Sequence, residues 1–133
     1  VVALIKVTDT RGEKMTVVEI LKVLSDTNRL RILNLLYVQE LCVCELEYLL
    51  GISQSNLSKH LRLMSDAGFL ESRRQNKFAY YKIKASVFSE HPFLTTIFET
   101  ELNKEEFLME EINKLCHYQK SELTCHSITA LIV

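Results

Sequence analysis

From Thr16 onward, apolar residues return with the spacing of a helix. Val17, Ile20, Leu21 and Leu24 mark one amphipathic helix, and Leu30, Ile32, Leu33, Leu35 and Leu36 mark a second. The second follows Asp26-Thr27-Asn28, whose side-chain oxygens suit a helix N-cap. A third, shorter helix carries Leu46, Leu49 and Leu50 inward and is predicted to end at Gly51, since glycine adopts the left-handed cap conformation without penalty. Only Gly51 and Ile52 then precede Ser53, a capping residue for a fourth helix with Leu57, Leu61 and Met64 on its buried face. Two helices joined by so short a turn predict a helix-turn-helix.

The helical period stops at Gly68. Phe69 to Arg74 and Lys77 to Ile83 are two β segments around a Gln75-Asn76 turn, where Asn tolerates the positive φ of a tight hairpin. Pro92 suits the first turn of a last helix bearing Leu94, Ile97, Phe98, Leu102, Leu108, Ile112 and Leu115. Asn103 with Glu106 three residues on resembles a capping box, so this stretch divides naturally into Pro92 to Leu102 and Lys104 to His117. A stripe this long exceeds what a small core covers, which predicts a partner helix from a second copy. The expected fold is mainly α with a small β-hairpin (α+β), a winged helix-turn-helix forming a homodimer through its terminal helices.

Three segments follow. Residues 1–14 lack any helical period and are set apart as a leader, native or added to the natural chain. Residues 15–118 form the DNA-binding and dimerisation domain, and 119–133 a tail whose end, from Ser127, is β-like and suited to pairing with the leader. A chain of 133 residues has room for one modest core, and its apolar runs are far too short to span a bilayer, so we expect a cytoplasmic protein with no membrane partner.

The net charge of -1 argues against indiscriminate nucleic-acid binding, but the charge is polarised. Between Ser53 and Lys84 there are seven cations and two anions, whereas Glu99 to Lys114 holds six anions and two cations. The basic half suits phosphates. On the fourth helix Gln54 and Asn56 suit adenine edges, while Ser55, Ser58, Lys59 and Arg62 suit phosphates or bases in a major groove. The plain alternative is a solvated helix face. His60 flanks the buried side, as a base contact or a structural histidine, and Arg74 and Lys77 at the hairpin tip suit the DNA backbone.

The segment ELCVCEL, Glu40 to Leu46, places Cys42 and Cys44 at the mouth of the third helix. Residues two apart on a regular helix point about 200° away from each other, so both thiols reach one ion only if Cys42 precedes the first full turn. The helix N-terminus also favours the thiolate, the form that ligates metals.

The segments LSDTNRLRIL (Leu24 to Leu33), ELCVCEL, LGISQSNLSKHLRLMSDAGFL (Leu50 to Leu70) and RRQNKFAYYKI (Arg73 to Ile83) together resemble the ArsR/SmtB family of bacterial metal-sensing repressors. The resemblance covers about Thr16 to His117. It implies a homodimer that binds double-stranded operator DNA and lets go when a toxic metal or metalloid binds, here arsenite first, with antimonite, cadmium, lead or zinc as other thiophilic inducers. Gln75-Asn76 replaces the family's usual Glu-Gly in the wing. Arsenite-sensing members carry a third Cys where this chain has Glu47, which directs attention to Cys116 and Cys125, each followed by His, as further ligands. An alternative keeps the fold and uses the thiols for redox or persulfide sensing, with Cys116 as the resolving partner. A thiol enzyme such as an arsenate reductase or rhodanese would need a glycine-rich oxyanion loop, and glycine is nearly absent around Cys42, so no enzymatic role is expected.

Overall fold

The computed structural model describes residues 14–121, 123, 127 and 128. In chain order these form α1 (Val17–Leu24), α2 (Thr27–Val38), β1 (Leu41–Cys42), α3 (Val43–Leu50), α4 (Gln54–Asp66), β2 (Leu70–Gln75), β3 (Phe78–Ile83), α5 (Ala85–Glu90), α6 (Phe93–Thr96) and α7 (Glu106–Lys120). A π-helical turn over Ile97–Glu101 and a 3-10 turn over Leu102–Lys104 link α6 to α7.

Local chemistry sets the boundaries. Thr16 and Glu19 cap α1 reciprocally, and the Asp26 carboxylate accepts the Arg29 amide at 3.0 Å to start α2. That bond holds the Asp26 pKa below its ordinary value, with the positive charges of Arg29 and His60 acting in the same direction. Gly51 ends α3 at φ 69°, and Ser53 Oγ accepts the Asn56 amide at 3.3 Å to open α4. Ile32, Leu33, Leu46, Leu57, Leu61 and Phe69 are fully buried where α2, α3, α4 and the sheet meet.

The three-stranded antiparallel sheet runs β1-β3-β2. β2 and β3 are the wing, in register from Leu70↔Ile83 to Gln75↔Phe78, and β1 adds Leu41↔Tyr81 and Cys42↔Tyr80 on the other side of β3. Asn76 takes the positive φ of 60° at the tip, so the turn is Asn76-Lys77, one residue later than Gln75-Asn76, because Gln75 stays paired with Phe78. Arg73 fixes the wing to the body. Its guanidinium bonds both Glu40 carboxylate oxygens, at 2.7 and 3.0 Å, and lies 4.7 Å from the Tyr80 ring centroid.

Four sequence expectations change. α5 was not foreseen, since only Val87 of its six residues is fully buried and no apolar period announces it. The chain does break between two helices near Asn103, but Asn103 caps nothing: its Nδ2 donates back to Glu99 O at 2.7 Å, and extended Glu105 precedes α7. The tail is not wholly β-like, for Ser127 and Ile128 are helical and Ile128 is buried in the core; its proposed pairing with the leader lies outside the described residues.

The final apolar stripe differs in that most of it is already covered within a single chain. Leu94, Phe98, Leu102, Leu108 and Leu115 are each at most 7% exposed within a single chain. α7 lies against α2 and α3, held there by Arg31, whose guanidinium reaches Glu111 at 2.6 Å and Leu50 O at 2.7 Å. Ile97 and Ile112 of the stripe are half-buried and Phe93 and Phe107 beside it are exposed, while α1 leaves Val17, Val18 and Leu21 about half exposed. Leu115→Ala should therefore cost about 2 to 5 kcal/mol of stability in urea denaturation, as a truncated core residue does. The folded variant should sediment as the parent does; a changed sedimentation coefficient with unchanged stability would place Leu115 at an interface between copies.

Candidate nucleic-acid interface and thiol site

α4 presents its polar face outward. Gln54, Ser55, Asn56, Ser58, Lys59 and Arg62 are all exposed, opposite buried Leu57, Leu61 and Met64. Arg74 and Lys77 are exposed near and at the wing tip. Of the wing cations, Arg73 is committed to Glu40, and Lys82 lies 3.7 Å from Glu71. His60 is half-buried and near enough to Asp26 for its charge to lower that carboxyl's pKa, which places it toward the start of α2.

The thiol pair is built by the start of α3. Cys42 is the N-cap residue, in extended conformation, its backbone tied to Tyr80 of β3 and its side chain almost fully buried. Cys44 lies one residue inside the helix and is half-buried. Because Cys42 stands before the first helical turn, the 200° divergence does not apply, and the two Sγ atoms come within 2.8 Å.

Glu45, which sequence reasoning passed over, fastens this geometry. Cys42 and Glu45 form a capping box in which sulfur takes the usual hydroxyl's place, and Cys42 N–H donates to Glu45 Oε1 at 2.9 Å. The other carboxyl oxygen accepts the Tyr118 hydroxyl from α7. The i, i+3 spacing of Cys42 and Glu45 was the available signal, hidden because cysteine is a rare N-cap.

The remaining candidates are more scattered. Cys116 is exposed on α7, with His117 beside it bonded through Nδ1 to Asn113 O at 2.9 Å. Cys125 lies outside the described residues. Among the described residues, no group of three or more His, Cys, Asp or Glu side chains forms an ion-holding cluster. Glu47 does face the same open cleft as the two thiols, a space of about 530 Å3. Gln54 and Ser58 of α4 form one of its walls, and Arg74, Lys77, Phe78, Ala79 and Tyr81 of the wing form another.

A helix-turn-helix with an exposed polar second helix, followed at once by a basic β-hairpin, defines a winged helix-turn-helix protein. Residues 26–72 match the family described as bacterial regulatory protein, arsR family. The chain is 39% identical over 69 residues to the arsenic resistance transcriptional regulator ArsR1 of Pseudomonas putida, covering 51% of this chain and 54% of that protein. It is 38% identical over 71 residues to the arsenical resistance operon repressor of Escherichia coli, covering 53% and 61%. The chain thus spans little more than half the length of these curated relatives. Among solved structures it resembles HlyU from Vibrio cholerae, at TM-score 0.54 and 32% identity over 61% of this chain and 89% of that one. It also resembles a homodimeric winged helix-turn-helix DNA-binding domain from Mycobacterium bovis, a possible ArsR-family transcriptional regulator, at TM-score 0.55 and 26% identity over 67% and 83%. The chain belongs to the ArsR family of bacterial regulatory proteins, a family of transcriptional regulators and not of enzymes. Among the described residues no helix is long and apolar enough to cross a membrane.

The wing anchor carries a pH signature. The hydrogen bond from Arg73, with its positive charge, holds the Glu40 carboxyl below the usual glutamate range. A depressed folded-state pKa adds stability that is complete above the unfolded value and is lost as pH falls through the folded one. Glu40→Gln should therefore lose less stability than the parent when denaturation is followed from neutral pH down through the carboxylate range. Parallel acid profiles would exclude Glu40 as a contributor.

Proposed function

We propose that this chain is a homodimeric repressor that binds operator DNA through α4 and the wing and releases it when a thiophilic ion, arsenite first, engages Cys42 and Cys44. The observation that carries this reading is the convergence of the two sulfurs, 2.8 Å apart, at the start of the helix that supports α4. Two soft sulfur donors at a helix N-terminus, where thiolates are favoured, suit arsenite, antimonite, cadmium or lead better than hard cations. The arsenic-resistance regulators among its relatives support this choice. Gln54 and Asn56 read adenine edges; Ser55, Ser58, Lys59 and Arg62 hold phosphates or bases; Arg74 and Lys77 hold the backbone. Cys116 and Cys125 are the candidates for the remaining ligand positions.

Dimerisation falls to the terminal helices, with α1 offering the unburied apolar residues Val17, Val18 and Leu21. Leu21→Asp should give monomers by sedimentation and weaken operator binding, since each half-site is then bound alone. A dimeric Leu21→Asp protein would move the interface elsewhere.

Replacing one sulfur by oxygen removes a soft ligand with little change of volume. Cys44→Ser should therefore fold and bind operator as the parent does, yet stay bound when arsenite, antimonite or cadmium is added under reducing conditions. Fluorescence anisotropy of labelled operator during metal titration reads this directly. Coupling of about 1 to 3 kcal/mol, roughly 5- to 150-fold in DNA affinity, is the size to look for in the parent. Release of Cys44→Ser at the parent's metal concentration would refute the ligand assignment. A second reading is thiol oxidation, with one of Cys42 and Cys44 pairing with Cys116 as the resolving thiol, which diamide in place of metal tests on the same operator.

A further inference from the structure

The wing carries two adjacent arginines, and the pleat sends them to opposite faces, since neighbouring residues of a strand alternate. Arg74 pairs with Ala79 across the hairpin, on the face that continues through Tyr81 to buried Leu70 and Ile83. That face turns toward α4: Arg74, Ala79 and Tyr81 line the cleft whose other wall holds Gln54 and Ser58. Arg73 pairs with Tyr80 on the outward face, beside the exposed Glu71–Lys82 pair. There all three of its guanidinium nitrogens are engaged. Nε and Nη2 donate to the two Glu40 carboxylate oxygens at 3.0 and 2.7 Å, and Nη1 donates to Gln75 Oε1 at 2.7 Å. The Tyr80 ring, its centroid 4.7 Å away, gives this flat cation a platform. One side chain thus joins the body at Glu40 to the last rung of the hairpin, Gln75↔Phe78, immediately before the turn that carries Lys77. Glu40 is a firm anchor because the next residue, Leu41, is fully buried in β1.

We propose that Arg73 is a positioning residue for DNA binding: clamped to Glu40, it sets the wing so that Arg74 and Lys77 meet the backbone, and it touches no DNA itself. The inference rests on the DNA-binding reading above and divides the wing's cations into two kinds. The charge of Arg73 is answered by Glu40, and carrying it to a phosphate would break three hydrogen bonds and uncover an anion beside the DNA. The two roles differ in sign at Glu40. Were Arg73 a phosphate contact restrained by Glu40, removing that carboxylate would release a cation and delete an anion, and binding would tighten. As the anchor of the wing, Glu40 has the opposite effect, because its loss removes the side-chain tie between hairpin and body and lets Arg74 and Lys77 fall out of line with α4. Lysine at position 73 keeps the charge but lacks the planar fork that reaches Glu40 and Gln75 together.

The test uses the full chain and sonicated mixed-sequence duplex DNA at low salt, since a backbone contact is made whatever the base sequence. Fluorescence anisotropy compares the Kd of the parent, Glu40→Gln and Arg73→Lys, each first shown to be folded by circular dichroism. Both variants should bind roughly 2- to 30-fold more weakly than the parent, the range seen when one member of a coupled network is changed. Glu40→Gln is then made in a protein already lacking the wing's proposed DNA cations, Arg74→Ala with Lys77→Ala, where Lys59 and Arg62 of α4 still hold the duplex. There it should weaken binding by less than about twofold, because residues that act through one another are not additive. Glu40→Gln binding as tightly as the parent, or more tightly, overturns the inference, and so does Arg73→Lys at the parent's affinity. An equal loss in both backgrounds also overturns it, since that loss would not pass through Arg74 and Lys77. No anisotropy change for the parent on duplex DNA at any concentration overturns the DNA-binding reading as well.

Discussion

The carboxyl group of Glu45 holds together the parts of this protein that matter most. It is 9% exposed, and a polar group buried so deeply is tolerated only when its hydrogen bonds are made. Both are made within the chain, one oxygen to the Cys42 amide and the other to the Tyr118 hydroxyl. The first bond fixes where α3 begins, and so keeps Cys42 outside the helical turn, which alone allows its sulfur to meet that of Cys44. The second ties the same residue to α7, seventy-three positions away in sequence. Loss of either partner leaves a buried acceptor without its donor, a cost of about 1 to 3 kcal/mol.

From this bond the architecture divides into a supporting side and the side proposed to read DNA. On the supporting side, α7 is drawn onto α2 and α3 by Leu108, Leu115, Tyr118 and the Arg31–Glu111 pair. Tyr37 stacks on Phe98 at 5.2 Å and donates to Glu99, a bond that pushes its phenol pKa up to about 12 and holds the segment before α7 against α2. On the reading side, α4 and the wing stand clear, with polar and basic groups outward. The start of α3, with its two sulfurs, lies on the seam between them.

Most of the reading side was legible in the sequence because its determinants are local. Gly51 and Ser53 bracket the turn between α3 and α4, and Leu57, Leu61 and Met64 set the roll of α4, so the exposed set from Gln54 to Arg62 follows by helical geometry. The thiol geometry was legible as a condition: the sulfurs meet only if Cys42 precedes the first turn. What meets that condition, the Glu45 bridge to Tyr118, is a contact between distant residues and leaves no periodic trace. The fate of the final stripe was hidden for the same reason. Periodicity shows that Leu108 and Leu115 need cover, but not whether α2 and α3 or a second copy supplies it. α5 escaped because six residues with one buried side chain carry no period at all.

The central claim is that Cys42 and Cys44 together hold a soft ion at the start of α3. X-ray absorption spectroscopy of the arsenite-loaded protein counts the sulfur atoms bound to arsenic without reference to DNA. The account predicts sulfur coordination that includes both residues, falling when Cys42→Ser or Cys44→Ser is introduced while the Cys116→Ser protein keeps the shared pair. Arsenic with an unchanged sulfur shell in the Cys42→Ser and Cys44→Ser proteins, or with an oxygen-only shell in the parent, would contradict it.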